Sequence, residues 1–247
     1  MIIEQTLEKL TKMKLFGMAK SIKERLDRQE HRDLAVSDFL GLIIDDEWLY
    51  RDNKQMKARE AGAKFKDKKA AIENIDYSEI RGFTKSQLLE LAQLNWIRKH
   101  QNLAVTGKTG VGKSWIAQAI GHQACRNGLR VLFARQPNFI HSLMMAKASA
   151  TLPALLKRLA KMDLLIVDDF GVSLMTEEVR RDFLEVIEER HGVGSTIITS
   201  QLPVGEWHDY CGGGRIADAL CDRFVRNAHR LEMLGPSRRP ELVNQPE

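Results

Sequence analysis

Across residues 1–95 the apolar side chains return every three or four positions, the period of a helix with one buried face. Leu7, Leu10, Met13 or Lys14, Met18, Ile22 and Leu26 share such a face, and Gly17 reads as a turn or break between two helices. Ser37 stands where an N-cap would open a further helix, whose Phe39, Leu40, Ile43, Ile44 and Trp48 again fall together. The stretch "NIDYSEIRGF" interrupts this rhythm and "TKSQLLELAQLNWIRK" resumes it. Beyond residue 96 the pattern changes. Short β-branched or aliphatic runs appear at 102–107 (NLAVTG), 131–135 (VLFAR), 164–169 (LLIVDD), 195–200 (STIITS) and 228–233 (AHRLEM), most of them separated by stretches of helical length. Strands alternating with helices predict a parallel sheet with both faces covered, which accounts for runs that are apolar almost throughout. The expected architecture is a small all-helical N-terminal domain over 1–95, then an α/β domain over 96–247.

Composition narrows the class. A 247-residue chain with 43% hydrophobic and 29% charged residues buries an ordinary globular core. No apolar run approaches the length needed to cross a bilayer, and the acidic start "MIIEQTLEKL" does not resemble a signal peptide. Cys125, Cys211 and Cys221 have no CxxC spacing, so neither a disulfide framework nor a zinc site is expected, and a cytoplasmic setting is. The net charge of +5 leans toward a polyanionic partner. Its position says more. "RDNKQMKAREAGAKFKDKK" (51–69) holds eight bases against three acids, with Phe65 as its only aromatic. A solvated helix face explains such a run, and so does contact with nucleic-acid phosphates.

The sharpest chemical signal follows the first β run. Gly107, Gly112, Lys113 and Ser114 match G-x-x-x-x-G-K-[ST], between a predicted strand and a predicted helix as that motif requires. Small residues let successive backbone N–H groups turn inward as an anion nest, with a helix N-terminus behind them. The span Gly107, Lys108, Thr109, Gly110, Val111, Gly112, Lys113, Ser114 is therefore a phosphate-binding loop. Lys113 is placed for the terminal phosphates of ATP and the Ser114 hydroxyl for Mg2+. In "DLLIVDDFG", Asp168 ends a buried run and is expected to hold the metal with Ser114. Asp169 follows and is expected to orient or deprotonate an attacking water. That second acid suits a hydrolase better than a small-molecule kinase, and no acceptor pocket or lid is evident. "STIITSQLP" closes another strand with polar groups that could position the water; Ser200 is preferred, with Thr199 close behind. Arg223, Arg226, Arg230, Arg238 and Arg239 make the C-terminal region basic.

Taken in order, "HQNLAVTGKTGVGKSW", "LLIVDDFG", "STIITSQLPV", "LCDRFVRNAHRLEM" and "GPSRR" resemble the ATP-binding helper proteins of IS21-type transposons, the IstB family. "IEQTLEKLTKMKLFGMA" and "DYSEIRG" extend the resemblance over nearly the whole chain. It implies the AAA+ fold, kinship with DnaC-type helicase loaders, and ATP sites shared between subunits of a homo-oligomer. It further implies ATP-driven assembly on double-stranded DNA with little sequence preference, deformation of that DNA, and recruitment of a partner transposase of the IstA kind that triggers hydrolysis. By the same resemblance Ser200 is the first sensor. Arg223, in the pair Asp222-Arg223, is the arginine finger reaching the next subunit's ATP, and Arg239 is the second sensor. Pro236 stands where the family has an acid, so Arg238 could take the place of Arg239. Lys108 replaces the usual proline, and "HDYCGGGRIADAL" is unusually rich in glycine. Two other readings share these motifs. One is a DnaC-type helicase loader, and the other is an architectural DNA-binding protein that uses ATP only as an assembly switch.

Overall fold

The N-terminal helices form much as their periodicity predicts but meet at different points. The computed structural model describes residues 2–32, 34–77 and 81–238. The chain divides into two compact units, Met1–Ala58 and Arg59–Glu247. In the first, α1 (Ile2–Lys12) and α2 (Phe16–Asp27) precede α3 (Val36–Ala63), within which the division falls. The break between α1 and α2 lies at Lys14, which is left-handed (φ 61°), and not at Gly17. Gly17 is buried inside α2, where a Cβ would lie 2.7 Å from the Glu47 Cα and 2.8 Å from the Asp46 carbonyl oxygen. The glycine permits close helix crossing.

The crossing is polar. Glu47 accepts the Met18 amide at 3.0 Å, and Asp46 accepts Ser21 Oγ at 2.5 Å and Arg25 Nη2 at 3.0 Å. Burial pushes the Glu47 carboxyl up, but the amides of Met18 and Gly17 and the Arg51 guanidinium outweigh it and hold the group below its ordinary value. Ser37 lies inside α3 and does not cap it. Of the expected apolar face only Ile43 is buried, and Leu40, Ile44 and Trp48 are exposed; the side of α3 against Gly17 of α2 carries Asp46, Glu47 and Tyr50.

In the second unit α4 (Lys85–Ala92) opens with a capping box in which Thr84 and Gln87 satisfy each other's backbone amides. After α5 (Asn95–Arg98) come β1 (Asn102–Gly107), α6 (Lys113–Arg126), β2 (Val131–Arg135), α7 (Gln136–Ala148) and α8 (Leu152–Ala160). They are followed by β3 (Leu164–Phe170), α9 (Glu177–Arg190), β4 (Ser195–Ser200), α10 (Trp207–Tyr210), α11 (Gly214–Phe224) and β5 (Ala228–Met233). All five strands are parallel, in the order β2-β3-β4-β1-β5. Alternate residues serve two cores. Leu103, Leu164, Ile166 and Ile197 pack beneath α6, while Ala104, Leu165, Val167 and Ile198 face α7, α8, α9 and α11.

The α6 core also takes in Ala63, Ala70, Ile72, Ile75, Leu88, Leu91 and Trp96. Residues 59–95 therefore belong with the sheet and not with the N-terminal helices, which moves the expected boundary at 95 back to 58/59. Phe65 lies 4.1 Å from the His122 ring and packs on Phe133, so the one aromatic of the basic run is part of this core.

Two glycine substitutions should separate the close helix crossing from helix propensity. Gly17→Ala is expected to destabilise the first unit by about 1–3 kcal/mol, through backbone overlap that side-chain adjustment cannot relieve. Gly41→Ala, where nothing lies within 4 Å, is expected to be neutral or stabilising. Denaturation of the full chain followed by circular dichroism checks both; shifts of the same sign would contradict this picture of the crossing.

Candidate nucleotide site

A cavity of about 670 Å3 opens at the carboxyl ends of the strands, where a parallel sheet leaves room between its connections. β1 runs straight into the glycine loop and the loop into α6. The turn is held from several directions. Gly110 (φ +85°) has Ser237 against it, where any Cβ would overlap the serine hydroxyl, and its carbonyl accepts the Arg238 amide at 2.9 Å. Arg81, itself buried, donates to the Val111 carbonyl at 3.0 Å and to the Asp76 carbonyl at 3.1 Å. Lys113 reaches back so that its ammonium donates to the carbonyls of Gly107 (2.7 Å) and Lys108 (2.8 Å).

One turn into α6, Gln118 donates to the Ser114 carbonyl at 3.1 Å and accepts the amides of both Lys66 and Asp67 at 2.8 Å. It thereby ties the first turn of the helix to the wall of the cavity. The opposite wall includes Asn74, Ile75 and Asp76, and the Asp76 carboxylate pairs with Arg238 at 2.8 Å.

The acids arrive on β3. Asp168 is only 3% exposed. Burial pushes its carboxyl above the ordinary carboxylate value; the hydrogen bond from the Thr199 hydroxyl and the nearby Ser114 hydroxyl draw it back without cancelling the shift. Thr199 Oγ1 donates to Asp168 at 2.6 Å and accepts the Asp169 amide at 3.1 Å. Two successive strand residues ordinarily point to opposite faces. Here the β3–β4 register shifts between Val167 and Phe170 and Asp169 takes a left-handed backbone (φ 60°), so both carboxylates line one cavity. Arg135, at the tip of β2, holds Asp169 Oδ2 through Nε at 2.9 Å and Nη2 at 2.7 Å.

The structure thus brings together Thr109, Gly110, Gly112, Lys113, Ser114, Asp168 and Asp169, while Val111 turns into the core below. It gives the two β4 hydroxyls different partners. Ser200 Oγ donates to the Phe170 carbonyl at 2.6 Å and accepts the Leu202 amide at 3.0 Å, so Thr199 and not Ser200 meets the acid. Arg223 is not at this cavity: it pairs with Glu188 at 3.0 Å and borders a small hollow with Asn102 and Thr196, where β1 and β4 begin. Arg239 lies outside the described residues.

Sequence reasoning missed Arg81, Gln118 and Arg135. Only the last carried a usable signal, as a charged residue at the carboxyl end of a parallel strand. Ser114 and Asp168 put a hydroxyl and a carboxylate on the wall of one cavity, a donor set suited to Mg2+ once phosphate oxygens and water complete it. Among the described residues no group of three or more His, Cys, Asp or Glu could hold a metal. No described helix is long and apolar enough to cross a membrane.

Comparison with known proteins agrees with this geometry. The family described as IstB-like ATP binding protein matches residues 8–244. An insertion sequence ATP-binding protein of Sinorhizobium fredii is 41% identical over 239 residues, 97% of each chain. Among solved structures, the replication initiator DnaA bound to AMPPCP and single-stranded DNA superposes with a TM-score of 0.59 at 20% identity, over 70% of this chain and 52% of that one. The DnaC helicase loader gives 0.54 at 18% identity, over 67% of this chain and 97% of that one. These likenesses place the parallel sheet and its flanking helices in the AAA+ fold. With its model matched over nearly the full length, the chain belongs to the family of IstB-like ATP binding proteins.

Proposed function

We propose that this protein is the ATP-dependent, DNA-binding helper of an insertion sequence: it assembles on target DNA with ATP, deforms it, and recruits and stimulates a transposase of the IstA kind, hydrolysis driving disassembly. The observation that carries the nucleotide part is the meeting of Ser114 and Asp168 beside the glycine loop. In this reading Lys113 supplies charge to the terminal phosphates and the loop amides cradle them. Mg2+ held by Ser114 and Asp168 would neutralise charge between the β- and γ-phosphates. Asp169 orients or deprotonates the attacking water, with Arg135 fixing its carboxylate and Thr199 its amide. Arg238, whose guanidinium already lines the cavity, takes the second-sensor role expected of Arg239.

Arg223 acts on a neighbouring copy, a reading supported by its distance in the fold from its own cavity. The helper role draws on a relative matched along 97% of its length, whereas the DnaC likeness is one of fold alone. DNA contact is assigned to the exposed bases of the 51–69 run, among them Lys57, Lys64, Lys68 and Lys69.

Three outcomes are expected. Asp169→Asn should leave ATP binding intact and slow hydrolysis by about a hundredfold or more, measured by nucleotide binding beside phosphate release; loss of binding would mean the two acids are assigned the wrong way round. Arg223→Ala alone should lose about a thousandfold in hydrolysis. Mixed with Asp169→Asn subunits it should regain turnover, because such a mixture contains sites with both groups intact; a mixture as inactive as its components would return Arg223 to a structural role. Duplex DNA binding in the presence of an ATP analogue should fall by about a hundredfold or more between roughly 50 and 200 mM salt, whatever the sequence. Affinity that ignores salt would overturn the phosphate-contact reading.

A further inference from the structure

The sheet ends in two edges that are treated differently. At β5 the earlier segment Arg81–Gly82 lies against the end of the edge: the Leu234 amide just beyond that strand donates to the Arg81 carbonyl at 2.9 Å, and Gly82 sits beside the Glu232 carbonyl. At β2, the other end of the strand order, no strand among the described residues pairs with the outer side. The ladder there begins with the Leu164 amide on the Arg130 carbonyl. In a parallel ladder bonding alternates, so Leu132 and Ala134 bond inward to β3 while Val131 and Phe133 turn amide and carbonyl outward; at Arg135, the N-cap of α7, the amide turns outward and the carbonyl enters the first turn of the helix.

A groove of about 380 Å3 runs along this open edge, lined by four consecutive β2 residues, Leu132–Arg135. Its lips come from opposite faces of the sheet. Lys64 and Lys66 flank Phe65, which packs over Phe133 on the α6 side, whereas Ser142 of α7 and Leu155 and Arg158 of α8 stand on the other. Apolar surface from Leu132, Ala134 and Leu155 lies between. Lys64, Lys66, Arg135 and Arg158 ring it, and no carboxylate is among the lining residues.

We propose that this groove receives an extended, acidic peptide segment of a partner protein, added as a further strand against β2. An edge with outward amides and carbonyls is a template for a strand, and alternate side chains of that strand would fall on the two lips. The ring of bases selects its charge: it rejects a basic segment and satisfies glutamates or aspartates placed beside the apolar ones. A peptide fits better than single-stranded nucleic acid. The two aromatic rings lining the groove, Phe133 and Phe139, are both buried and offer no face for a base to stack on. Lys66 and Arg135 also line the nucleotide cavity, so the strand would lie one side chain away from Asp169.

The probe is a blocked, fluorescein-labelled peptide alternating glutamate and valine, titrated into the full chain by anisotropy, with a labelled oligothymidine of similar length as the comparison. Saturable peptide binding is expected. Ser142→Trp, which fills the groove, and Arg158→Glu, which reverses one lip, should each weaken it by about tenfold or more. Amide hydrogen exchange at Phe133 and Arg135 should slow when the peptide is bound. Three results would overturn the proposal: no saturable peptide binding, which would make the bases a simple guard against edge pairing; binding that leaves those two amides unprotected; or oligothymidine binding that Ser142→Trp abolishes while the peptide does not compete.

Discussion

The site depends on one buried carboxylate. Asp168 stands at the end of a strand covered on both faces, almost without solvent, where its charged form is disfavoured. Two neutral hydroxyls, from Thr199 and Ser114, recover part of the lost hydration but bring no compensating positive charge. The Arg135 guanidinium adds positive charge nearby and Asp169 adds negative charge, and together they leave the carboxyl above its ordinary value, a cost to the folded protein that a closer cation would relieve. That is why Asp168 and Ser114 lining one cavity, beside the glycine loop, have a stronger chemical meaning together than either residue alone. In the proposed reading the loop takes the phosphates and the acid the metal, so that one ligand, the metal-bound nucleotide, meets both.

Around that point the fold limits movement. The loop carbonyls of Gly110 and Val111 are held by the Arg238 amide and the Arg81 guanidinium, and Gln118 ties the Ser114 carbonyl to the backbone at Lys66 and Asp67. These restraints come from segments far apart in the chain: residues 66–81, the start of α6, and the stretch after β5. Ordering the loop in advance reduces the entropy lost when a ligand binds. Asp169 adds a different kind of restraint. Its left-handed backbone is uncommon for a residue with a side chain, and the register shift that accompanies it places two adjacent acids on one cavity.

Much of this was legible in the sequence because it rests on local signals. All five strands were readable from β-branched and aliphatic runs, with only the end of β3 extended by one residue to Phe170. The glycine turn between β1 and α6 was readable because its glycines, lysine and serine form a contiguous motif. What escaped depends on contacts between distant segments or on strand phase. Ser200 and Thr199 are chemically alike, and only the register of β4 against β3 decides which faces Asp168. Gly17 looked like a break because helix interiors disfavour glycine; the close passage of α3 that requires it is invisible until the two helices are paired. The domain boundary was misplaced for a similar reason. Helical periodicity, interrupted at 74–83, resumes towards residue 95, but it does not reveal that Ala63, Ile72 and Leu88 pack under the sheet with α6.

The positions of the charged groups also constrain assembly. The acids and the loop occupy the carboxyl end of the sheet, and Arg223 borders a hollow at the end where β1 and β4 begin. A side chain so placed cannot serve the phosphates of its own chain without rearranging the fold. To serve any phosphate it must belong to a contact in which the leading surface of one copy meets the trailing surface of the next. Such a contact is heterologous and does not close after two copies, so it generates a ring or a helical filament according to its rotation. The geometry of a single chain thus links a catalytic role for Arg223 to extended assembly, and the two stand or fall together.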